Sequence, residues 1–186
     1  MKKIILASAS PRRKELLETA GLEFEICVSD ADESVPGGTL PVDAAKMTAT
    51  KKALAVAESH KDDIVIGADT IVVAGGKILG KPKNEANAEA MLTMLSGIEH
   101  EVITGVCLAS GEEIISFAQI SKVKFYDLSA EEIRAYVATK EPMDKAGAYG
   151  IQGKGCTLVE KIEGDYFNIV GLPVARVARE INKLLK

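Results

Sequence analysis

Apolar runs of strand length alternate along this chain with segments of helical pattern, and that alternation constrains the fold more than any other feature. We expect strands at residues 3–7, 24–28, 64–68, 70–74, 77–79, 102–108, 114–125 and 157–162. We expect helices at residues 11–20, 41–60, 84–95, 129–138 and 173–185. Because some strands follow helices and others follow one another directly, the pattern predicts an α/β fold with a twisted mixed β-sheet flanked by helices.

Short local signals place several element boundaries. Ser10 before Pro11 is typical of a helix that begins with an N-cap and a proline at its first position. Ser129, three residues before Glu132, predicts a capping box. The glycine pair at residues 75–76 separates two strand-type runs and predicts a hairpin, which argues against a Walker A loop at residues 75–82.

Length and composition narrow the class of protein. A chain of 186 residues fits one domain, residues 1–186, that needs no disulfide or metal for stability. Its formal net charge of −4, with four Tyr, four Phe and no Trp, lacks the basic and aromatic surface of a nucleic-acid binder. The three cysteines are widely spaced and form no C-x-x-C pair, which indicates reduced thiols. No apolar run has the length of a signal peptide or a membrane span, so we expect a cytoplasmic protein without membrane or nucleic-acid-polymer partners.

The first cluster with chemical potential is the segment from Ser8 to Arg13. Two hydroxyls (Ser8 and Ser10), the N–H groups of a helix start and two guanidinium groups (Arg12 and Arg13) favour an anion such as phosphate. The alternative is a capped helix with exposed arginines. Basic residues in a first helical turn oppose the helix dipole, which favours the anion site.

A second candidate is Asp69, which interrupts the apolar run at residues 64–73. A carboxylate there is costly unless it is paired, hydrogen-bonded or bound to a metal, so Asp69 is a candidate base or metal ligand at the end of a strand. The alternative is an acid that caps the strand end. Glu33, in an acidic loop, could supply a second oxygen to Mg²⁺, although taken alone it is a solvated loop acid.

Further candidates are two lysines and a glycine-rich loop. Lys81 is a candidate phosphate cation, whereas Lys51 and Lys52 on an Ala-rich helix are expected to face solvent. Four glycines between residues 147 and 155 permit close approach of backbone to a ligand, so this loop is a possible base pocket or lid that includes Gln152.

Taken in order, these clusters resemble the Maf family of nucleotide pyrophosphatases. The matching segments are residues 8–13 with 15–17, 32–33, 52–53, 67–70, 79–82, 91–92 with 95–97 and 100, 144–152, and 168–173. Each segment alone is a weak signal, but eight in register cover nearly the whole chain and identify it as a member of the family.

The resemblance implies a fold similar to the inosine-triphosphate pyrophosphatases, with two lobes around a cleft. It implies hydrolysis of a nucleoside triphosphate to the monophosphate and pyrophosphate, aided by a divalent cation (Mg, Mn or Co). By position, Asp69 matches the proposed proton acceptor, and Glu33 with Asp69 matches the metal site. The residues that match the phosphate site are Ser8, Ser10, Arg12, Arg13, Lys52 and Lys81. Asp69 could instead ligate the metal directly, and the oligomeric state is left open, with a homodimer as one option.

Arg12, Thr70 and Gln152 match the substrate-selecting positions of the family. The Gln152 amide offers a donor and an acceptor, which complement the edge of uracil or thymine and imply the dTTP/UTP subgroup, with modified pyrimidine nucleotides as further substrates. Two alternatives stay open. One is a non-catalytic nucleotide-binding regulator of septum formation, and the other is a 7-methyl-GTP pyrophosphatase, whose relatives carry an acid near residue 152.

Overall fold

The computed structural model describes residues 2–185, and its framework is one seven-stranded mixed sheet. The strands are β1 (Ile4–Leu6), β2 (Glu25–Ile26), β3 (Ile64–Ala74), β4 (Lys77–Leu79), β5 (Glu99–Ser110), β6 (Glu113–Phe125) and β7 (Val159–Glu163). Their order is β2-β1-β3-β5-β6-β7, with β4 paired to β3. The pairs β1–β2 and β1–β3 are parallel, whereas β3–β4 and β6–β7 are antiparallel, which confirms the predicted mixed sheet.

Six α-helices accompany the sheet within the described residues. They are α1 (Pro11–Thr19), α2 (Pro41–Ala57), α3 (Glu85–Leu95), α4 (Ala130–Ala138), α5 (Tyr166–Val170) and α6 (Val174–Leu184). Short 3₁₀ turns occupy Glu141–Asp144, Ala146–Ala148 and Gly153–Leu158. The α/β fold predicted from the alternating pattern is therefore confirmed.

The chain divides into two compact units. The first contains Met1–Thr70, Thr104–Gln119 and Gly171–Lys186, and the second contains Ile71–Ile103 and Ile120–Val170. The expectations of one domain and of two lobes around a cleft stay predictions, and each unit is described by itself below.

In the first unit, small residues let α2 lie unusually close to the sheet. A Cβ atom added to Gly67 on β3 would lie 2.2 Å from the Ala49 carbonyl oxygen, and one added to Gly105 on β5 would lie 2.2 Å from the Ala45 carbonyl oxygen. Ala45, Ala49 and Ala53 are all fully buried in α2. Because neither strand presents a side chain at these contacts, backbone meets backbone, and the polar residues of α2 are brought near β3.

In the second unit, an aromatic cluster packs under the loop that precedes β7. Phe125, His100 and Tyr149 are buried and meet edge to face, with the Phe125 and Tyr149 ring centroids 4.7 Å apart. Nearby, α4 begins with the predicted capping box, since Ser129 and Glu132 exchange hydrogen bonds between side chain and backbone.

Several predicted boundaries were wrong. The strand at residues 64–68 does not stop at Asp69 but runs on through it to Ala74, and the strand at residues 24–28 is reduced to Glu25–Ile26. The last strand begins at Val159 instead of residue 157, because residues 153–158 form a 3₁₀ turn. Helix α5 was not predicted, since its five residues are too few to show a period.

Candidate active site

Asp69 lies on β3 at the point where the pairing of that strand changes. Parallel pairing with β1 ends at Ile66, and antiparallel pairing with β4 begins at Val72. The Asp69 side chain is 19% exposed, between residues that are fully buried on one side and half-buried on the other. The carboxylate therefore lies inside a long strand, and the expectation that it ends a strand is corrected.

The ammonium of Lys52 is the reason that β3 tolerates this acid. Lys52 Nζ lies 2.9 Å from Asp69 Oδ1 and 3.1 Å from Glu33 Oε1. The Lys52 side chain is only 12% exposed, so the expectation that it lies on a solvated helix face was wrong. The close packing of α2 on Gly67 brings this lysine within reach of β3. One cation thus joins Glu33 and Asp69, the two carboxylates that the sequence analysis nominated together for a metal ion.

Glu33 lies in a loop that is held by Lys51, the residue before Lys52 on α2. Lys51 Nζ donates to the Ser34 carbonyl oxygen at 2.7 Å, while the Ser34 hydroxyl and N–H donate to the Asp32 carboxylate. These hydrogen bonds from Ser34 lower the pKa of Asp32. The side chain of Glu33 itself stays 61% exposed and can turn toward a ligand.

Arg13 is buried and joins three separate parts of the first unit. Its Nε donates to the Gly171 carbonyl oxygen at 2.9 Å, its Nη1 to Ser8 Oγ at 3.0 Å, and its Nη2 to Thr70 Oγ1 at 3.1 Å. Burial lowers the pKa of Arg13, and the nearby charge of Asp69 opposes that shift. Arg13 therefore fixes the positions of Ser8 and Thr70, both of which the sequence nominated.

The start of α1 differs in detail from the expected cap. Ser10 occupies the N-cap position and Pro11 follows it, but the Ser10 side chain makes no capping hydrogen bond. Instead the Ser10 N–H donates to Ser8 Oγ at 3.3 Å. Arg12, on the first turn, is half-buried. The Ser10 hydroxyl is thus not committed to capping.

One polar residue of this site was not nominated from the sequence. Thr104 on β5 is fully buried, and its hydroxyl lies 2.9 Å from Thr70 Oγ1. The Thr70 hydroxyl also donates to the Gly171 carbonyl oxygen at 3.3 Å. The available signal was a lone hydroxyl residue inside the apolar run at residues 102–108.

The first unit therefore brings together most of the nominated residues. These are Ser8, Ser10, Arg12, Arg13, Glu33, Lys52, Asp69 and Thr70. Lys81 and Gln152 belong to the second unit, where Lys81 is exposed just after β4 and Gln152 is half-buried. Across residues 2–185 there is no group of three or more His, Cys, Asp or Glu side chains arranged for a metal ion. Glu33 and Asp69 converge on one cation as a pair, a donor set that suits Mg²⁺ when phosphate oxygens and waters complete the coordination.

The chain is similar to known proteins over nearly its whole length. A dTTP/UTP pyrophosphatase of Bacillus cytotoxicus is 54% identical over 183 residues, which cover 98% of this chain and 96% of that protein. A protein of the same name from Bacillus cereus is also 54% identical and is covered to 90%.

Among solved structures, a HAM1 protein from Coxiella burnetii matches 98% of this chain and 100% of its own, with a TM-score of 0.53 and 13% identity. At that identity the match concerns the fold alone. None of the helices within residues 2–185 combines the length and apolar character that crossing a bilayer requires. The family model described as Maf-like protein matches residues 3–184, and the chain therefore belongs to the Maf family.

Proposed function

We propose that this protein is a nucleoside triphosphate pyrophosphatase that hydrolyses dTTP and UTP, and modified pyrimidine nucleotides, to the monophosphate and pyrophosphate. The observation that carries the proposal is the 54% identity, over nearly the full chain, to relatives named dTTP/UTP pyrophosphatase. The carboxylate–lysine–carboxylate arrangement in the first unit supports it, because cleavage of a phosphoanhydride is helped by a carboxylate that deprotonates water and by positive charge near the phosphates.

The reaction adds water to the α-phosphorus and breaks its bond to the oxygen that bridges to the β-phosphorus. Asp69 acts as the base in this proposal: its carboxylate takes a proton from the attacking water, and pyrophosphate leaves with the bridging oxygen. Lys52 keeps that carboxylate in place at 2.9 Å. Direct ligation of a metal by Asp69 is the alternative role, and it uses the same oxygen atoms.

Cationic and hydroxyl groups neutralise the triphosphate. Ser8, Ser10 and Arg12 lie at or near the start of α1, where free N–H groups favour an anion. Arg13 uses three of its five donor positions within the protein and contributes its charge from a fixed position. Lys81, in the second unit, is proposed as a further phosphate ligand.

We further propose a divalent cation, Mg, Mn or Co, held by Glu33 and phosphate oxygens, and also by Asp69 where that carboxylate is a metal ligand instead of the base. The two carboxylates would suit such an ion because both lie beside Lys52 Nζ, at 3.1 Å for Glu33 and 2.9 Å for Asp69, and are therefore held close to each other. When bound, the ion would withdraw negative charge from the phosphate that is attacked.

Base selection is proposed to depend on Arg12, Thr70 and Gln152. The Gln152 side chain is half-buried, and its amide can offer both a donor and an acceptor to a base edge. Uracil and thymine present an alternating acceptor and donor that this amide can match. A free pyrimidine nucleotide in the cytoplasm is therefore the expected partner, and assembly as a homodimer is one option.

The test is release of pyrophosphate across a panel of nucleoside triphosphates with Mg²⁺, Mn²⁺ or Co²⁺. We expect turnover of dTTP and UTP well above that of GTP, 7-methyl-GTP and ATP. Asp69→Asn should lower kcat by about 10² or more, the scale of a lost general base. Asp62→Asn, at an exposed acid of the same unit, is the matched control and should retain wild-type turnover.

Two outcomes would refute the proposal. Absence of hydrolysis of every pyrimidine triphosphate would remove the activity and favour a nucleotide-binding regulator. Wild-type turnover by Asp69→Asn would remove Asp69 from the mechanism.

A further inference from the structure

The loop that carries Gln152 has a backbone that its own sequence does not explain. Gly147 has a φ of 68° and Ala148, the next residue, a φ of 59°. The left-handed region suits glycine but is uncommon for alanine. Such a conformation persists only where the surroundings enforce it, and it is found most often at functional sites. Contacts from outside the loop must therefore hold Ala148 and its neighbours in place.

His100, near the start of β5, contacts Tyr149, the residue that follows Ala148. Its Nε2 atom lies 2.7 Å from the hydroxyl oxygen of Tyr149, and both side chains are buried. Their rings meet edge to face at 5.3 Å, and Phe125 closes the cluster at 5.0 Å from His100. Tyr149 is thus fixed both by packing and by one directed hydrogen bond.

Two further contacts hold the backbone on either side of Gln152. The Gly150 N–H donates to the Tyr136 hydroxyl oxygen at 3.2 Å, and the Lys154 N–H donates to the Glu141 carboxylate at 3.1 Å. All these residues belong to the second unit. Gln152 therefore lies between two anchored points, and the hydrogen bond between His100 and Tyr149 anchors the loop three residues before it.

We propose that His100 is a positioning residue for base selection, which acts through Tyr149 to hold the Gln152 amide where it can meet the edge of a pyrimidine. This role rests on the proposed function, since it concerns which base that enzyme accepts. The physical reason is geometric: discrimination by one amide needs its donor and acceptor in register with the base, and loss of one such hydrogen bond weakens binding by about tenfold. His100 contacts neither phosphate nor water in this role.

The test is Tyr149→Phe, which removes one hydroxyl and keeps the ring that packs on Phe125. For dTTP we expect KM to rise about tenfold with kcat within about twofold, because binding of the base is weakened while the chemical groups of the first unit are untouched. The ratio of kcat/KM for dTTP to that for GTP should fall about tenfold. His100→Gln, whose amide can still bond to Tyr149, should retain more of this ratio than His100→Leu. Tyr126→Phe, at an exposed tyrosine, is the matched control and should keep both values.

A second readout does not depend on turnover. Hydrogen exchange at the amides of residues 150–152 should be faster in Tyr149→Phe than in the wild type and unchanged in Tyr126→Phe. Unchanged exchange, or a lower kcat with an unchanged KM and base ratio, would overturn the positioning role, because a merely structural loss reduces the amount of active protein. Failure of the proposed function is distinct from both results, since it appears as a wild-type protein that hydrolyses no pyrimidine triphosphate.

Discussion

Burial of His100 should make the protein less stable as the pH falls from 8 to 5. The His100 side chain is 2% exposed, and this burial lowers its pKa from 6.5 to about 4, against a smaller opposing effect of the backbone at Ile98 and of Glu99. In the unfolded chain His100 therefore takes up a proton near pH 6.5, whereas in the folded protein it stays neutral until the pH approaches 4. Stability from this group is complete above pH 6.5 and is lost as the pH falls toward 4.

The size of the loss follows from the pKa difference. At pH 5 the unfolded histidine is protonated and the folded one is still neutral, so the loss spans about 1.5 pH units. At about 1.4 kcal/mol per unit, the free energy of unfolding should be about 2 kcal/mol lower at pH 5 than at pH 8 on account of His100 alone. Other titrating groups add their own pH dependence, so the measurement must be a difference between variants.

Urea unfolding of the wild type and of His100→Gln at both pH values supplies that difference. Glutamine does not titrate, so the stability gap between the two proteins should shift by about 2 kcal/mol in favour of the variant between pH 8 and pH 5. Tyr149→Phe is the control, because it removes the hydrogen bond and leaves His100 buried, and it should keep the wild-type slope. A gap between wild type and His100→Gln that stays constant with pH would refute burial as the cause.

Three further predictions concern the parts of the fold that support the site. Gly67→Ala should cost about 1–3 kcal/mol of stability and lower kcat, since the new methyl group would meet the Ala49 carbonyl oxygen at 2.2 Å. Gly37→Ala is the control: it has open space around it and should match the wild type in urea unfolding and turnover. Arg13→Lys should destabilise by about 2 kcal/mol, because one ammonium cannot replace three directed hydrogen bonds; an unchanged unfolding midpoint would contradict this. Ser129→Ala should cost about 1 kcal/mol through loss of the capping box, and equal stability of variant and wild type would show that the cap is redundant.

The order of elements could be predicted from local patterns, because strand and helix periods and capping residues act over a few positions. The continuation of β3 through Asp69 could not, since it depends on an ion pair with Lys52, 17 residues earlier in the chain. A short stretch of sequence around Asp69 shows only an acid within an apolar run. The strand survives because a distant cation compensates that acid.

The same limit applies to Lys52 itself. On its own helix, Lys52 follows Lys51 and resembles part of a solvated face, and only the close approach of α2 to Gly67 places it near β3. The anchoring of Gln152 was equally hidden, because His100 and Tyr149 are separated by 49 positions. The residue types in the sequence were enough to nominate candidate site residues. Which of them contact each other depends on how distant segments pack and could not be predicted.

The ammonium of Lys52 also affects whether the two carboxylates need a bound ion in order to lie close together. Two carboxylates that converge on one point repel each other, and many metal-binding sites therefore form only when their ion arrives. Here the chain supplies its own counter-ion, since Lys52 lies 2.9 Å from Asp69 and 3.1 Å from Glu33. We therefore expect that folding does not depend on a bound cation, and that protein treated with a chelator keeps its unfolding midpoint.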